Sequence, residues 1–565
     1  MFQNRSSRRW LAVCMLLVLP GCASPQRTPV DVNILAINDF HGYIEANPFR
    51  YPDPTAPDGV RTVNAGGIAT LGGMLDTFRE QDPQLLFISA GDLVGGSPPI
   101  SAMWADEPTI EAFTMMGLKL SALGNHELDA GKEELLRQIR GGCESVRKDK
   151  ACTFKANFSG AGFPYLAANV IDTQTGNSLL PAYRIEEVHG VKVAFVGAVL
   201  RDVASVVRPS GMEGLKVTDE AEAINKLIPE LDKQGVNAIV AVIHQGGSTP
   251  EPFDKPDCQH LQGDIVDIAQ RLSPKVDVLV SAHTHQGYLC RVGRLTVTQG
   301  DSYGHVLTHL TLSVMPGEHQ VTVVKAENLI ADPKRYVADP KLAALQAEIE
   351  SQSRKILQKP IARIQGKRIG HETNQAGEAQ AGDLIADAQL AAVKPMGAQV
   401  AFMNPGGIRG DFMLEPGQTY LTYSQVASIQ PFNNSLILLT LTGAQLQELL
   451  NQQWRKDGGF SPLQVSSSFS YRWDAGRPTD DRVVPGSMRI EGKPVDAEQL
   501  YGVVVNDFLA EGGDGFSVLK DAKTHRDTGI SDLEALIAHL TALDEAGTPA
   551  GMAQSERIVR VDKAL

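Results

Sequence analysis

One pattern, repeated five times, constrains this chain more than any other: a short apolar run ends at side chains of the kinds that bind metal ions. Short apolar runs bounded by turn residues are typical of buried strands. In α/β proteins, the carboxyl ends of parallel strands meet at one edge of the sheet, where ligands bind. The pattern therefore predicts α/β layers with a cluster of ligands at one edge. The ligand-bearing segments are Asp39-Phe40-His41, Gly91-Asp92, Gly124-Asn125-His126-Glu127-Leu128-Asp129, His244 and His283-Thr284-His285.

The segment Gly124–Asp129 holds the densest group of these side chains. The apolar run Leu118–Leu123 precedes it and the helix-like run Gly131–Ile139 follows it, so a strand-to-helix turn is predicted. Taken alone, its Asn-His pair fits the capped start of a helix equally well. The four similar strand ends elsewhere in the chain favour a metal-centred active site instead.

Aspartate, histidine and asparagine without cysteine form a set of nitrogen and oxygen ligands. Such a set suits Zn²⁺, Mn²⁺, Co²⁺, Fe²⁺ or Mg²⁺ better than Cu⁺. Asp92 stands alone on a Gly-Asp turn, which makes it the natural bridge between two ions roughly 3.5–4 Å apart. A structural metal is saturated by about four ligands, and this chain offers more candidates than one closed site needs. We therefore expect two divalent metal ions in a site that holds a phosphate group and activates water.

The charge and length of the chain limit its partners and its architecture. The net charge is −14, which argues against a nucleic-acid partner because such binding needs a basic surface. A length of 565 residues predicts two or three domains.

The first 22 residues resemble an export signal with a basic start and an apolar stretch, Leu11–Leu19, that is too short to span a bilayer. Leu19-Pro20-Gly21-Cys22 resembles a bacterial lipobox, with Cys22 as the lipidated residue and residues 23–30 as a tether. By resemblance to bacterial lipoproteins, Ser24 favours the outer membrane, facing the periplasm or the cell surface. The alternative is plain signal cleavage and a soluble periplasmic protein.

Four further cysteines, an even number, suit an oxidising compartment. Three pairings are open, and we favour the one in which Cys143–Cys152 closes a charged surface loop and Cys258–Cys290 clamps the segments that carry His244 and His283. A thiolate metal site is the less favoured interpretation, because no two cysteines have the close two-residue spacing.

Several elements outside the ligand segments are also predicted. Residues 47–64 are rich in proline and polar residues and are expected to form a loop, and residues 68–80 an amphipathic helix. Residues 340–358 form a charged helical pattern that leads into a second domain, 359–565. In that domain, Thr442 is expected to cap a helix over residues 443–453.

The ligand segments resemble those of the calcineurin-type metallophosphoesterases. Motifs of the second domain narrow the resemblance to the bacterial periplasmic 5′-nucleotidase and UDP-sugar hydrolase family, which also includes animal ecto-5′-nucleotidases. The resemblance covers roughly residues 31–560. The narrowing motifs are Asn404-Pro405-Gly406-Gly407-Ile408-Arg409, Pro431-Phe432, and the run from Phe508 to Asp514 with its Gly-Gly-Asp-Gly.

The resemblance implies an α/β fold: a four-layer αββα metallophosphoesterase sandwich over residues 31–339, followed by a smaller α/β substrate-binding domain over residues 359–565. It further implies that the two domains close on each other, with residues 340–358 as the candidate hinge. We expect a monomer.

The resemblance also assigns roles to particular residues. It implies that His126 and Asp129 form a catalytic dyad, in which His126 stabilises charge on the phosphoryl oxygens and Asp129 orients the imidazole. Glu127 is expected to be a structural partner inside the turn. One metal ion would be bound by Asp39, His41, Asp92 and His285, and the second by Asp92, Asn125, His244 and His283.

For the second domain, the resemblance implies that Phe432 and Phe508 stack on the nucleobase, which contributes roughly 1–3 kcal/mol per base. Asp514 would accept hydrogen bonds from the ribose, and Asn404 and Arg409 would contact the nucleotide. Without the resemblance, two such Phe would be read as ordinary core residues. The family often has an Arg before Gly377, and the segment Gly370–Asn374 has none, with Arg363 and Arg368 as the only nearby substitutes.

The resemblance implies hydrolysis of nucleoside 5′-monophosphates to nucleoside and phosphate, with water as the nucleophile and no phosphoenzyme. The alternatives are a 2′,3′-cyclic-nucleotide phosphodiesterase with 3′-nucleotidase activity, or a pyrophosphatase acting on UDP-sugars or dinucleotides. A more distant one is a sulfur-oxidation hydrolase, whose substrate would not call for two stacking Phe. From a different class, a surface lipoprotein that only binds nucleotides is disfavoured, because it would be expected to lose metal ligands or the dyad.

Overall fold

The computed structural model describes residue 1 and residues 27–57, 59–207, 209–432, 434–455, 459–551 and 556–561. Residues 2–26, which hold nearly all of the predicted signal segment, Cys22 and the first half of the tether, lie outside the described residues. Within the described part of the chain, we find no helix with the length and apolar character needed to cross a membrane.

The strands fall into two groups along the chain. The first comprises β1 Val30–Ile37, β2 Ala46–Pro52, β3 Val60–Gly66, β4 Leu86–Ser89, β5 Leu120–Ala122, β6 Tyr165–Leu166, β7 Val170–Asp172, β8 Tyr183–Val188, β9 Val191–Val199, β10 Leu215–Val217, β11 Ala238–His244, β12 Val278–Ser281, β13 Gly287–Val292, β14 Leu295–Gly300, β15 Val306–Val314 and β16 Val321–Ile330. The second comprises β17 Pro360–Ala362, β18 Arg368–Ile369, β19 Val400–Met403, β20 Phe412–Met413, β21 Leu421–Thr422, β22 Ser435–Thr442, β23 Gln464–Val465, β24 Phe469–Trp473, β25 Arg489–Ile490, β26 Lys493–Pro494, β27 Leu500–Asn506, β28 His525–Ser531 and β29 Ile558–Arg560.

The α-helices follow the same division. The first seven are α1 Ile68–Gln81, α2 Pro99–Ala102, α3 Glu107–Met115, α4 Gly131–Arg140, α5 Glu220–Lys233, α6 Asp264–Arg271 and α7 Pro340–Leu357. The remaining five are α8 Gln380–Val393, α9 Tyr423–Ile429, α10 Gly443–Asn451, α11 Asp507–Ala510 and α12 Asp532–Glu545.

The N-terminal domain is built on two six-stranded sheets. One has the strand order β16-β15-β1-β4-β5-β6 and the other the order β13-β14-β12-β11-β9-β8. Alternate apolar side chains of both sheets, such as Ile34 of β1 and Val240 of β11, form one buried layer between them. The opposite faces carry helices, with Leu35 packed in the cluster of α1, α3 and α7, and Ile239 in that of α5 and α6. The predicted four-layer αββα sandwich is confirmed.

The parallel strands bring the ligand segments to one edge. In the first sheet β1, β4 and β5 are parallel neighbours, and in the second sheet β11 lies parallel to both β9 and β12. The turns that follow β1, β4, β5, β11 and β12 therefore project toward the same region. That edge carries the candidate site.

The loop predicted over residues 47–64 is wrong, because β2 and β3 pair as an antiparallel hairpin around a tip at residues 53–59. A two-stranded ribbon has only edge strands, where proline is tolerated. Phe49 anchors the hairpin, since its buried ring stacks on His305 at 4.9 Å and meets Phe253 edge to face at 5.6 Å.

The C-terminal domain has a central five-stranded sheet of order β23-β19-β27-β22-β28. Helices α8 and α12 pack on one face of this sheet and α10 packs on the other. Thr442 caps α10 as predicted: its side chain accepts a hydrogen bond from the Gln445 backbone N–H, and the Gln445 Oε1 accepts one from the Thr442 backbone N–H.

Helix α7, predicted as a linker, packs on the N-terminal domain. Its apolar residues Leu342, Leu345 and Ile349 belong to the same buried cluster as α1. Gly72 and Gly73 of α1 make this approach possible, because a Cβ at either position would collide with Leu342 or with the Val337 carbonyl.

Candidate active site

The turns after the strands hold most of the predicted ligands in an unusual backbone conformation. Non-glycine residues rarely adopt positive φ, and such strain persists where the surroundings enforce it, often at functional sites. Five of the seven predicted ligands do so here: Asp39 (48°), His41 (48°), Asp92 (52°), His283 (74°) and His285 (53°). Sharp turns of this kind direct neighbouring side chains into one space.

The first group of ligand atoms is formed by Asp39, His41 and His285, with Asp92 at its edge. The Nε2 atoms of His41 and His285 lie 3.0 Å apart. Asp39 Oδ1 lies 3.6 Å from His285 Nε2, and Asp92 Oδ2 lies 3.7 Å from His41 Nε2. These are the four residues predicted for one metal ion.

The second group is formed by Asp92, Asn125, His244 and His283. Asp92 Oδ2 and Asn125 Oδ1 each lie 3.1 Å from His244 Nε2, and Asn125 Oδ1 lies 2.9 Å from His283 Nδ1. Asp92 thus contributes to both groups, as expected of a bridging carboxylate.

The predicted ligand atoms suit divalent cations because these nitrogen and oxygen atoms, which accept rather than donate hydrogen bonds, point toward one another. The His41 Nδ1–H donates to the Gly95 carbonyl at 2.7 Å, and the His244 Nδ1–H donates to the Ala90 carbonyl at 2.9 Å. In the neutral form of each ring, Nε2 then carries a lone pair that faces other acceptors. For His244, burial lowers the pKa, but the charge of Asp92 outweighs this and raises it to about 9. Buried lone pairs in this arrangement repel unless positive charge lies between them. All seven side chains are therefore placed to hold two divalent metal ions.

The protonation preferences of the group depend on burial. Burial lowers the pKa of His283 to about 3, with His244 adding to the effect, and burial lowers the pKa of His41 and His285 as well. Neutral imidazole is the form that binds a metal ion. For Asp92, burial raises the pKa, but the neighbouring histidines, His244 first, hold it well below the usual value, so this carboxylate is ionised.

His126 and Asp129 meet at the rim of the ligand groups. Asp129 Oδ2 accepts a hydrogen bond from His126 Nδ1 at 2.8 Å, which leaves Nε2 free to face a ligand. Burial lowers the pKa of His126, but the charges of Asp129 and Asp92 outweigh this and raise it above its usual value. The imidazolium form is thereby favoured beside the anion-binding region.

Glu127 holds the turn together. Its buried carboxylate accepts hydrogen bonds from the backbone N–H groups of Gly124 (2.7 Å), Asp92 (3.0 Å) and Leu93 (2.8 Å). It thereby joins the turn after β5 to the turn after β4, which fits the structural role expected of it.

In the C-terminal domain, Asn404 and Asp514 are brought together. The Asn404 Nδ2 donates to Asp514 Oδ2 at 2.8 Å, and Asn404 Oδ1 accepts from Asn506 Nδ2 at 3.0 Å. Asp514 adopts a positive φ of 55° in the Gly-Gly-Asp-Gly turn. The turn presses on Phe508, since a Cβ at Gly513 would overlap its ring.

Phe432 and Arg409 of the second domain contact residues of the first domain at the site. The Phe432 ring stacks on His126 with a centroid distance of 5.6 Å and an interplanar angle of 13°. The Arg409 guanidinium lies 5.8 Å from the Phe432 centroid and donates weakly to the Tyr303 hydroxyl at 3.5 Å. His126 therefore covers one face of Phe432, and the Arg409 guanidinium lies close to the same ring.

A cavity of about 540 Å³ joins these parts, and pockets of this size suit small-molecule ligands. Its lining includes both dyad residues and two of the ligands, Asn125 and His283. All five predicted substrate residues also line it: Asn404, Arg409, Phe432, Phe508 and Asp514.

Neither arginine considered as a substitute for the family Arg reaches this cavity. Arg363 pairs with Asp544, and Arg368 pairs with Asp411 and Glu372. The cationic residues that line the cavity besides Arg409 are Arg147, Lys150 and Arg455.

The structure adds residues that the sequence reasoning missed. Tyr303 stacks on Tyr43 at 4.1 Å and lies edge-on to His41 and His285. It follows the apolar strand β14, so the strand-end pattern that identified the other segments applied to it also. Asn38, next to a predicted ligand, donates to Asp39 Oδ2 at 2.8 Å.

The four described cysteines form two disulfides, Cys143–Cys152 and Cys258–Cys290, which is the favoured pairing of the three. Cys258–Cys290 ties the segment after β11 to β13. Cys143–Cys152 closes the loop that follows α4 and contributes Arg147 and Lys150 to the cavity.

Two family models match the chain. The calcineurin-like phosphoesterase model matches residues 32–287, and the 5′-nucleotidase C-terminal domain model matches residues 360–521.

Curated relatives and a solved structure agree with this. The chain is 30% identical over 519 residues to Endonuclease YhcR of Bacillus subtilis, covering 91% of this chain and 40% of that protein. It is 30% identical over 521 residues to Cell wall protein Lmo0130 of Listeria monocytogenes, covering 87% of this chain and 65% of that protein. The chain thus spans less than two thirds of the length of both. A 5′-nucleotidase precursor from Thermus thermophilus superposes with a TM-score of 0.76 at 25% identity, over 95% of this chain and 100% of that one.

Proposed function

This chain belongs to the family in which a calcineurin-like phosphoesterase domain precedes a 5′-nucleotidase C-terminal domain, and from this we propose that it is a metal-dependent hydrolase of nucleoside 5′-monophosphates. The observation that carries the proposal is the single cavity that is lined by the dyad, by the predicted ligands Asn125 and His283, and by the aromatic residues of the second domain. The proposed extents are residues 31–339 for the first domain, 340–358 for the connecting helix and 359–565 for the second domain.

We assign Asp39, His41, Asp92 and His285 to one metal ion, and Asp92, Asn125, His244 and His283 to the other. Two divalent ions held there would supply Lewis-acid chemistry, which would polarise the phosphoryl group and lower the pKa of water. The donor set of nitrogen and oxygen atoms leaves Zn²⁺, Mn²⁺, Co²⁺, Fe²⁺ and Mg²⁺ as candidates.

The dyad acts on the charge that develops at the phosphoryl oxygens. We assign His126 to bind these oxygens through Nε2, because Nδ1 is engaged by Asp129 at 2.8 Å. Asp129 keeps the ring in this orientation and favours its protonated form. Water attacks phosphorus in line with the nucleoside oxygen, which leaves as an alcohol.

The second domain selects the nucleotide. We assign Phe508 and Phe432 to stack on the base, and Asp514 to accept hydrogen bonds from the ribose hydroxyls. Asn404 orients the Asp514 carboxylate through its 2.8 Å hydrogen bond. Arg409 contacts the nucleotide, and its charge suits the side nearest the phosphate.

Cleavage of a phosphodiester or a pyrophosphate is the second candidate. Phosphodiester cleavage is favoured by the name of the Bacillus subtilis relative, an endonuclease, of which the chain spans 40%. Such substrates would use the same metal-ligand groups and differ in how the second domain presents them.

A substrate panel tests the proposal. Purified protein starting at residue 23 would be assayed for product release from AMP, 3′-AMP, 2′,3′-cyclic AMP, UDP-glucose and single-stranded DNA, with Mn²⁺ or Zn²⁺ added. We expect AMP to have the highest kcat/KM and His126→Ala to lose activity by about 10²-fold or more. Preference for a cyclic, pyrophosphate or polynucleotide substrate would favour the second candidate. Metal binding without any turnover would contradict both.

We also propose that the protein is exported, a location in keeping with the name of the Listeria relative, a cell wall protein. The finer proposal is a lipid anchor at Cys22 in the outer membrane. Cys22→Ala should move the protein from the detergent phase to the aqueous phase on Triton X-114 partition. If the unsubstituted protein already partitions into the aqueous phase, the soluble periplasmic alternative is favoured.

A further inference from the structure

One wall of the cavity has no part in the function assigned so far. It is made only of N-terminal-domain residues, and it lies beside the dyad because α4 begins two residues after Asp129. The wall consists of the α4 side chains Glu134 and Gln138, the residue Asp106 before α3, and Arg147 and Lys150 from the loop closed by Cys143–Cys152.

A buried network of ion pairs fixes this wall. The Arg147 guanidinium donates to Glu134 Oε1 at 2.9 Å and to Asp106 Oδ2 at 3.1 Å. Behind it, Arg137 donates to Glu134 and to Glu107, each at 2.8 Å. The side chains of these three acidic residues and of Arg137 are at most 4% exposed. Burying charges is costly unless all partners are engaged, so the network holds the loop in one arrangement.

Lys150 is mounted rigidly on that loop. Its backbone N–H donates to the Arg147 carbonyl at 3.0 Å, and its carbonyl accepts from the Thr153 hydroxyl at 2.5 Å. Next to it, the Cys152 N–H donates to the Glu107 carboxylate at 3.1 Å. Over the described ranges, the Lys150 ammonium makes no hydrogen bond or ion pair, whereas the nearby carboxylates are engaged by the two arginines. The cavity is therefore lined by a lysine whose backbone is held in place and whose ammonium donors are unused within the described residues.

We propose that Lys150 is a specificity-determining residue that binds the second, non-scissile phosphoryl group of nucleoside diphosphates and other pyrophosphate-linked nucleotides. The inference rests on the proposed function, in which the metal-ligand groups and His126 serve the scissile phosphoryl group. A monophosphate offers no further anion, so its hydrolysis leaves the Lys150 ammonium unused. A lysine ammonium is a compact charge with three donors, which suits a phosphoryl group. Arg147 suits this role less well, because four of its five N–H donors already engage Glu134, Asp106 and the Ala105 carbonyl.

The test compares ADP with AMP in the metal-loaded full protein, by following the loss of each nucleotide chromatographically. Lys150→Ala and Lys150→Gln should lower kcat/KM for ADP by about tenfold or more, since hydrogen bonds to charged groups are the strong ones. The value for AMP should stay within about twofold. Lys148→Ala is the matched control: Lys148 is exposed on the same loop, does not line the cavity, and should change neither value.

A second variant tests whether the loop that carries Lys150 must be held in place. Cys143→Ser with Cys152→Ser frees the loop without removing the ammonium, so it should lower kcat/KM for ADP in the same direction by a smaller factor. The Lys150 variants keep the proposal testable even if this pair fails to fold.

The outcomes separate the inference from the function on which it rests. Equal losses for ADP and AMP, or no loss for either, would overturn the assignment of Lys150. If the unsubstituted protein hydrolyses neither nucleotide, the proposed function fails, and calorimetric binding of ADP and AMP to the Mn²⁺-loaded protein then decides the role of Lys150. In that case the assignment stands only if Lys150→Ala weakens ADP binding selectively.

Discussion

The two sides of the cavity are built in different ways. On the N-terminal side, the predicted metal ligands follow buried strands, five of the seven have positive φ, and each contacts other ligands. On the C-terminal side, Phe432 and Asp514 lie on turns and Phe508 lies on the four-residue helix α11. All three are partly exposed and are held by few contacts, such as the Asn404–Asp514 hydrogen bond. A site whose geometry is enforced from several strands suits chemistry that does not vary. Side chains on turns can change with the substrate at little cost to the fold.

The comparison predicts that substitutions on the N-terminal side lower kcat for every substrate, whereas those on the C-terminal side change KM in a way that depends on the base. The following variants test this contrast, beginning with the largest expected effect.

Asp92→Asn should cause the largest loss, about 10³-fold in kcat for every substrate, because it removes the one carboxylate shared by both ligand groups. Bound metal, measured by atomic absorption, should fall in parallel. Asp411→Asn is a suitable control, since Asp411 belongs to an exposed group with His371 and Glu372 outside the cavity. A loss confined to one nucleotide would break the contrast.

Asp129→Asn should lower kcat by roughly 10-fold to 100-fold and change its pH dependence. The protonated His126 binds the phosphoryl oxygens, so activity falls as the pH rises through the pKa of His126. The charge of Asp129 raises this pKa, and its removal should therefore move the alkaline decline to lower pH. Asp82→Asn, which removes the partner of the remote His189, should leave the profile unchanged. A profile that keeps its alkaline limb in the Asp129 variant would contradict the assignment.

Phe508→Ala should raise KM for AMP by about 5-fold to 100-fold, which corresponds to the loss of one stacking contact. Its kcat should change little, and hydrolysis of p-nitrophenyl phosphate, which has no nucleobase, should be unaffected. Phe460→Ala removes an aromatic ring of the same domain that packs on Trp454, away from the cavity, and serves as the control. An equal loss on both substrates would mean that Phe508 supports the fold rather than the base.

Tyr303→Phe should have the smallest effect, a rise in KM of about 2-fold to 5-fold, because it removes one weak hydrogen bond to Arg409 and keeps the ring packing. Tyr303 belongs to the N-terminal side of the cavity and contacts Arg409 on the C-terminal side. Its variant therefore tests to which side the effects of a residue between them belong. Tyr420→Phe, at an exposed position, is the control. A large loss in kcat would place Tyr303 with the metal-ligand side instead.

Local signals in the sequence predicted the α/β layers of the N-terminal domain and the edge that carries the ligands, whereas the four-layer sandwich was implied by the family resemblance. An apolar run followed by Asp, His or Asn marks both a strand and its carboxyl end, as at Ile37 before Asp39 and at Ile243 before His244. Glu127 was also interpreted correctly as a structural residue within its turn. These features depend on neighbours in the chain and on strand order, and both leave a trace in the sequence.

Other features depend on contacts between distant segments and left no such trace. The hairpin of β2 and β3 was hidden by its prolines, which a two-stranded ribbon tolerates at its edges. Lys150 enters the cavity only because Arg147 is fixed by Asp106 and Glu134, contacts that span 13 or more residues. The stacking of Phe432 on His126 joins residues of different domains, and the domain boundaries and residue roles stay predictions.

The close packing of α7 on Gly72 and Gly73 of α1 determines where the chain can be divided into fragments. Because Gly72 and Gly73 accommodate Leu342 and Val337, α7 supplies part of the apolar interior of the first domain. A fragment that stops at residue 339 would leave the face of α1 that packs on α7 exposed to solvent. A second-domain fragment that begins there would expose the apolar face of α7. The natural point of division is after Leu357, where α7 ends and the chain passes to β17.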